Sequence, residues 1–162
     1  MNAIQLNEFR LIGLALPGKT TNEGGQSNID CGNLWQKFEN GKYFEKIPGK
    51  LNDDVLAVYH QYEGDHTQPF SYFIGCKVND VASIPGGMES LTIPGGTYKK
   101  ITAIGEMPQC LINTWKDIWE SDVPRAYEAD FEIYDEDSKD WRNAKIEIYL
   151  SVRLMQRSPR QI

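Results

Sequence analysis

The chain has 162 residues, of which 40% are apolar and 25% charged, values that suit one globular domain with a sizeable core. No apolar run reaches the roughly 18 residues that a membrane span needs, and the first ten residues lack the basic-then-apolar layout of a signal peptide. The net charge of −6 comes without a basic cluster, which argues against direct binding of nucleic acid.

Three cysteines, Cys31, Cys76 and Cys110, are widely separated in the sequence. The odd number and the missing signal peptide predict reduced thiols in a cytoplasmic protein. Their spacing fits no metal site, and each is expected to act as a small buried apolar side chain. No metal and no cofactor are therefore predicted.

The first half of the chain predicts the order strand, helix, strand, strand. Its predicted elements are a strand over 3–16, a glycine-rich loop over 18–27, a helix over 29–40 and a hairpin of strands over 55–62 and 70–78. Ser27 or Asn28 is expected to cap the helix, because their side chains accept hydrogen bonds from free backbone N–H groups.

The second half repeats that order after a linker over 79–87. Its predicted elements are a strand over 89–103, a helix over 108–120 and a hairpin of strands over 127–134 and 144–154. Pro94-Gly95-Gly96 is expected to bend the first of these strands. The loop over 135–143 is acidic and contains Trp141, which is expected to serve as a lid, a subunit contact or a loosely packed side chain.

The repeated order is accompanied by similar residues, which indicates a duplicated unit. Trp35 and Trp115 stand at matching places in the two predicted helices, and Leu16-Pro17-Gly18 is matched with Ile93-Pro94-Gly95. The expected organisation is one domain over 1–156 with a tail over 157–162, the half-repeats covering about 1–79 and 88–155. We predict an α+β fold: two β-α-β-β units form a largely antiparallel sheet of about eight strands with two helices and pseudo-twofold symmetry.

Five segments resemble the motifs of one known family. Residues 90–98 resemble the "ipaGkYa" strand of the effector-binding domains attached to AraC-type and MerR-type transcription regulators, also called gyrase-inhibitor-like small-molecule-binding domains. Residues 131–134 match the family's "fE-x-Y" strand and 146–152 its last strand. Residues 114–119 resemble its second helix, and 72–75 resemble a strand of its first half.

The resemblance covers nearly the whole chain and implies the duplicated β-α-β-β architecture. It departs from the family pattern at Ser151, where a proline is usual. The regulators also carry roughly 100 further residues for DNA binding, for which this chain has no room. The resemblance therefore implies a stand-alone ligand-binding module, with a separate transcription regulator as a possible partner.

Glu132 is the first candidate for a ligand contact. Strand alternation places Glu132 and Tyr134 on one face, opposite the apolar Phe131. A carboxylate among aromatic rings suits a lipophilic cation, because the rings offer cation–π attraction and the carboxylate offers the counter-charge. The resemblance assigns this task to Glu132. Alternatively, this face is simply the solvated side of an antiparallel sheet.

Further aromatic and acidic residues are candidates for the same site. Trp115 and Trp119 share one helical face, one expected in the core and the other at the cleft. Trp35 and Phe38 are expected mainly in the core. The remaining strand candidates are Tyr59, Tyr72, Tyr98, Glu147 and Tyr149. Neither His60 nor His66 has a partner in a nucleophile motif, so no catalytic residue is predicted.

The sequence thus predicts a cytoplasmic module that binds hydrophobic, cationic small molecules, with a link to transcription regulation. One alternative is a hydrolase of reactive compounds, in which Glu132 and a nearby tyrosine activate water. Another is a protein that inhibits a topoisomerase through an acidic surface. The ligand, the partner and the oligomeric state are left open.

Overall fold

A computed structural model describes residues 3–153. Within them, one curled sheet of eight strands lies against two long helices, which confirms the predicted α+β class. None of these helices is long and apolar enough to cross a membrane. The predicted tail over 157–162 lies outside the described residues.

The elements follow the predicted order, with differences at several boundaries. The strands are β1 (Ala3–Leu6), β2 (Phe9–Ala15), β3 (Val55–His60), β4 (Ser71–Val78), β5 (Glu89–Ile93), β6 (Gly96–Gly105), β7 (Ala129–Tyr134) and β8 (Ala144–Ser151). The helices are α1 (Gln26–Asn40), the short α2 (Tyr43–Lys46) and α3 (Gln109–Glu120). Both predicted hairpins are confirmed, since β3 pairs with β4 and β7 with β8.

The sheet has the predicted pseudo-twofold symmetry. Its strands run antiparallel in the order β1-β6-β8-β7-β3-β4-β2-β5. The duplication relates β1 to β5, β2 to β6, β3 to β7 and β4 to β8. When each strand is replaced by its counterpart and the order is read backwards, the same order results. The axis therefore passes between β3 and β7, and α1 and α3, which carry Trp35 and Trp115, are symmetry mates.

One predicted match between the halves is wrong. Leu16-Pro17-Gly18 follows the second strand of its half, whereas Ile93-Pro94-Gly95 comprises the last residue of β5 and the break before β6. The counterpart of that second segment is the break between β1 and β2 at Asn7-Glu8. The likeness of the two proline-glycine pairs is therefore not a consequence of the duplication.

The single strand predicted over 3–16 is also wrong, because the chain breaks at Asn7-Glu8. β1 pairs with β6 of the other half, and β2 pairs with β5. The two breaks lie against each other, since a Cβ added to Gly95 would lie 3.0 Å from the backbone nitrogen of Glu8. Each long strand thus changes its partner where it crosses the other, and only the second break carries a proline-glycine signal.

Helix α1 begins three residues earlier than predicted, and Ser27 and Asn28 do not cap it. Gly25 precedes the first helical residue with a left-handed φ of 74°, a conformation that glycine adopts without strain. Ser27 is buried in the first turn, and its hydroxyl donates a hydrogen bond to Asn22 at 2.8 Å. Its polar side chain ties the helix to the preceding loop.

The sheet separates two apolar layers. The layer under the helices has one cluster against α1 and another against α3, each built from alternate residues of the central strands. The second layer fills the inside of the curl on the opposite face. Its buried members are Leu11, Leu56, Val58, Phe73, Ile93, Tyr98, Ala129 and Phe131.

Candidate functional site

Four strand side chains converge beneath the two helices near the pseudo-twofold axis. On β7, alternation turns Glu132 and Tyr134 towards the helices and Phe131 towards the opposite layer, as predicted. On β3 and β4, Tyr59 and Tyr72 are direct cross-strand partners on the helix side. The register of the central strands therefore places three tyrosines around one carboxyl group.

The Glu132 side chain is fully buried and accepts three hydrogen bonds. The hydroxyl of Tyr59 and the indole nitrogen of Trp115 donate to Oε2 at 2.8 and 2.7 Å. The hydroxyl of Tyr134 donates to Oε1 at 2.7 Å. Neutral groups that can turn a hydrogen towards a carboxylate are the partners expected of an ionised acid in an apolar site.

No described lysine, arginine or histidine lies within 4.0 Å of the Glu132 carboxyl oxygens. Burial raises the pKa of Glu132, and the hydrogen bonds from Tyr134, Trp115 and Tyr59 oppose this, leaving it above its usual value. Among residues 3–153, the side chains that donate hydrogen bonds to this buried acid are therefore all neutral.

An aromatic cluster surrounds this acid and joins the two halves; it comprises Trp35, Tyr59, Tyr72, Trp115 and Tyr134. The indole nitrogen of Trp35 donates to the hydroxyl of Tyr72 at 2.8 Å. The ring of Trp35 lies 4.8 Å from that of Tyr134, and Tyr59 lies 5.1 Å from both Tyr72 and Trp115. Both symmetry-related tryptophans therefore contribute to one cluster.

A cavity of about 340 Å³ opens next to this cluster, between α1 and α3. Tyr59 and Trp115 line it, whereas Glu132 lies behind them and does not reach it. Its other lining residues are Asn22, Gly25, Ser27, Asn28, Cys31, Tyr62, His66, Phe70, Leu111, Ile112, Lys116, Trp119 and Arg125. Aromatic and aliphatic side chains share its wall with polar and charged ones, so the cavity offers both apolar contact and hydrogen bonds to a small molecule.

The edge of the cavity is closed by a stacked pair. The rings of His66 and Trp119 lie 5.2 Å apart and are inclined by only 6°. The amide nitrogen of Asn22 donates to the backbone oxygen of His66 at 2.9 Å, which ties the loop before α1 to this pair. Trp119 is only partly buried, whereas Trp115 is 8% exposed, so Trp119 lies at the rim and Trp115 in the core, where it also borders the cavity.

A buried ion pair that the sequence did not reveal forms one side of the cavity. Nη2 of Arg125 lies 2.7 Å from Oδ2 of Asp130. The same oxygen accepts from the Tyr62 hydroxyl at 2.6 Å, and the backbone nitrogen of Ser151 donates to Oδ1 at 2.8 Å. A proline at Ser151 would lack that N–H group, so the departure from the family motif has a structural purpose.

Burial lowers and Asp130 raises the pKa of Arg125, which remains above its usual value. The arginine is thus charged, and Asp130 balances its charge. Asp130 lies two residues before Glu132 on the same strand, so strand alternation could have placed it on the same face as Glu132. Arg125 lies in an irregular segment, where no sequence pattern indicates its position.

Three candidate residues lie on the opposite face of the sheet from Glu132. The ring of Tyr149 stacks on Phe131 at 5.0 Å, and the hydroxyl of Tyr98 donates to the backbone oxygen of Pro94 at 2.7 Å. Glu147 accepts from Thr102 at 2.7 Å and lies 3.6 Å from Lys145. Tyr149 borders a second cavity of about 720 Å³ on this face.

Phe38 and the cysteines behave mainly as packing residues. Phe38 is buried in the cluster under α1. The three cysteines are unpaired; Cys76 is fully buried, and Cys31 and Cys110 are partly buried. Burial raises the pKa of the Cys76 thiol to about 12, and burial followed by the charge of Glu132 raises that of Cys31, which lines the cavity. Both thiols are therefore poor nucleophiles at neutral pH.

Comparison with known proteins places this geometry in a family. The model of the integron-associated effector binding protein family, Cass2, matches residues 4–152. The chain belongs to this family. An integron cassette protein from Vibrio cholerae has a crystal structure with 30% sequence identity and a TM-score of 0.65, and the match covers 94% of this chain and 95% of that one.

Two further proteins are similar to this chain. The chain is 28% identical over 102 residues to a Bacillus subtilis (strain 168) protein named "Putative transcriptional regulator protein YobU". That match spans 61% of this chain and 64% of the length of the relative. The structure of SAV2435 bound to tetraphenylphosphonium shares the fold with a TM-score of 0.75 and 18% identity, over 94% of this chain and 93% of that one.

Proposed function

We propose that this effector-binding protein takes up lipophilic organic cations in the cavity between α1 and α3. The observation that carries the proposal is the buried carboxyl group of Glu132, which has three neutral donors and no described cationic partner within 4.0 Å. A bound cation supplies the missing counter-charge. The fold shared with SAV2435, whose structure contains tetraphenylphosphonium, supports this class of ligand.

The charge of Glu132 acts through the rings that cover it. Tyr59 and Trp115 donate hydrogen bonds to the carboxylate and also line the cavity. Their rings become more electron-rich when their polar hydrogens point at a negative charge, and this strengthens cation–π attraction, which is worth about 0.5–2 kcal/mol. A cation is thus favoured by the rings it touches and by the acid behind them.

Regulation is the second part of the proposal. The relative from Bacillus subtilis bears the name of a transcriptional regulator. A cation that draws Trp115 and the Trp119–His66 pair together would change how α3 is held against the sheet. We infer that such a change communicates ligand binding to a separate regulator.

Two compounds of equal shape test the cation preference. (4-Acetylphenyl)trimethylammonium and 4-tert-butylacetophenone differ in charge but hardly in size, and calorimetry would measure both affinities. Glu132→Gln keeps the shape of the side chain and removes its charge, and should weaken the cation by roughly 1.5–3 kcal/mol while hardly affecting the neutral compound. Glu147→Gln is the matched control, because Glu147 lies on the opposite face.

The comparison has a clear contrary outcome. Equal affinity of the wild-type protein for the charged and neutral compounds would exclude a counter-charge role for Glu132. So would an unchanged cation affinity in a folded Glu132→Gln variant.

A further inference from the structure

Lys116 gives the cavity between α1 and α3 a positive charge that no described acid balances. Lys116 and Arg125 both line the cavity, whereas none of the aspartates and glutamates among residues 3–153 does. The charge of Arg125 is balanced by Asp130, whose Oδ2 lies 2.7 Å from Nη2. No described carboxylate oxygen lies within 4.0 Å of Nζ of Lys116. A cavity for cations therefore has an uncompensated cation in its own wall.

The position of Lys116 on α3 places this charge at the mouth. Lys116 follows Trp115, which is 8% exposed, and is itself an exposed residue. Ile112 lies one helical turn before Lys116 and also lines the cavity. The aliphatic stem of a lysine packs along such an apolar wall while its ammonium group stays in water. The wall of the cavity thus passes from a buried aromatic ring to an exposed cation.

A ligand in this cavity meets charges of opposite sign at two depths. Tyr59 and Trp115 form part of the wall, and both donate to the carboxyl group of Glu132 behind them, at 2.8 and 2.7 Å. A cationic group is favoured against these two rings. At the mouth, a cationic group is repelled by Lys116, whereas an anionic group is attracted. The two ends of a ligand are therefore selected for opposite charge.

We propose that Lys116 determines specificity, and that the preferred ligands are lipophilic zwitterions with a cationic group at one end and a carboxylate at the other. The carboxylate pairs with Lys116 at the mouth, and the cationic group lies on the rings of Tyr59 and Trp115. This inference rests on the proposed function, which places the cationic group. It narrows the ligand class from lipophilic cations in general to those whose outer end carries a negative charge.

The test compares two compounds that share the cationic group. (4-Carboxyphenyl)trimethylammonium has a carboxylate where (4-acetylphenyl)trimethylammonium has an acetyl group of nearly the same shape. An exposed ion pair is partly screened by water, so calorimetry of the wild-type protein should give an affinity about two- to fivefold higher for the carboxylate compound. Lys116→Gln should abolish this preference, and Lys116→Arg should retain it. Lys37→Gln is the matched control, because Lys37 is an exposed lysine of α1 that does not line the cavity.

The ionic strength provides a second measurement that needs no variant. The preference should shrink when the salt concentration rises from about 20 to about 200 mM, because the Debye length falls and an exposed pair is screened. Equal affinities of the two compounds in the wild type at low salt would overturn the inference. So would a preference that is unchanged by salt, one that persists in Lys116→Gln, or one that Lys37→Gln removes.

A third compound separates this inference from the proposed function. 4-tert-Butylbenzoate has the shape of (4-carboxyphenyl)trimethylammonium and its carboxylate, but not its positive charge. The wild-type protein should bind it more weakly than the zwitterion. Equal binding would overturn the proposed function and the zwitterion class with it, whereas failure of the Lys116 comparison alone leaves the preference for cations standing.

Discussion

The indole nitrogen of Trp115 lies 2.7 Å from Oε2 of Glu132, so the second helix is anchored to the sheet by a buried acid. The symmetry-related Trp35 makes an analogous bond from the first helix, but its acceptor is the neutral hydroxyl of Tyr72 at 2.8 Å. The duplication thus keeps a tryptophan on each helix and places the acidic partner in one half. This asymmetry places a buried acid under one helix of a nearly symmetric fold and a neutral hydroxyl under the other.

The two tryptophans of α3 should respond differently to substitution. Trp115→Ala removes a buried ring and a donor to Glu132, and should lower the free energy of unfolding by roughly 3–5 kcal/mol. Trp119→Ala should lower it by about 1 kcal/mol or less, because this ring lies at the rim and packs on His66. Urea unfolding measures both values.

Trp119→Ala should affect ligand affinity more than it affects stability. Trp119→Ala should remain folded and bind (4-acetylphenyl)trimethylammonium about three- to tenfold more weakly, since an aromatic contact contributes roughly 0.5–1.5 kcal/mol. Binding should also quench tryptophan fluorescence in the wild-type protein. Unchanged affinity in Trp119→Ala, together with unchanged fluorescence, would place the ligand elsewhere.

The buried ion pair should be far more sensitive than a surface pair of similar length. Asp130→Asn leaves the charge of Arg125 buried and uncompensated, and should lower the free energy of unfolding by about 3–5 kcal/mol. Glu136→Gln is the matched control, because its 2.6 Å pair with Lys139 is exposed and should leave stability unchanged within error. Urea unfolding of both variants makes the comparison; similar losses would contradict it.

Alternation and helical spacing predicted which neighbouring candidate side chains share a face. They placed Glu132 and Tyr134 on one face of a strand, and Trp115 and Trp119 on one face of a helix, because these relations depend on residues close in sequence. Alternation also predicted that Tyr149 and Glu147 share a face of β8. Whether this is the face on which Glu132 lies depends on the register between β7 and β8, which sequence patterns specify poorly.

The register explains why the strand candidates separate. Phe131 pairs directly with Tyr149, and Glu132 with Ile148. Direct partners share a face, so Tyr149 joins Phe131 on the side away from the helices. A shift of one residue would have placed Tyr149 beside Glu132. Arg125 was missed for a different reason: it lies outside any periodic element, and only the tertiary fold brings it to the cavity.

The close approach of β2 and β4 gives a test of the fold. Gly13 and Gly75 are direct cross-strand partners, and a Cβ on Gly13 would overlap the backbone of Ile74 and Gly75. The strands must move apart to accept this Cβ, so Gly13→Ala should lower the free energy of unfolding by about 1–3 kcal/mol or more. Gly96→Ala, which meets no atom within 4 Å, is the control. Equal melting temperatures of the two variants would contradict this close spacing of the strands.

The raised pKa of Glu132 makes stability depend on pH in a defined direction. Burial favours the protonated acid in the folded protein, whereas the unfolded chain titrates near the usual value of about 4.3. The contribution of protonated Glu132 to the free energy of unfolding is therefore complete below about pH 4.3, and it declines as the pH rises through the pKa of Glu132 in the folded protein. The unfolding free energy of the wild type, minus that of Glu132→Gln, should fall across this window, and urea unfolding at several pH values measures it.

The same linkage predicts what a bound cation does. A cation beside Tyr59 and Trp115 favours the ionised acid, so it lowers the pKa of Glu132 and releases a proton wherever the acid is partly protonated. Calorimetry of (4-acetylphenyl)trimethylammonium in buffers of different ionisation enthalpy measures this release. The wild type should show it near the folded pKa, Glu147→Gln should match the wild type, and Glu132→Gln should show none. Proton uptake, or release that survives in Glu132→Gln, would mean that another group responds to the ligand.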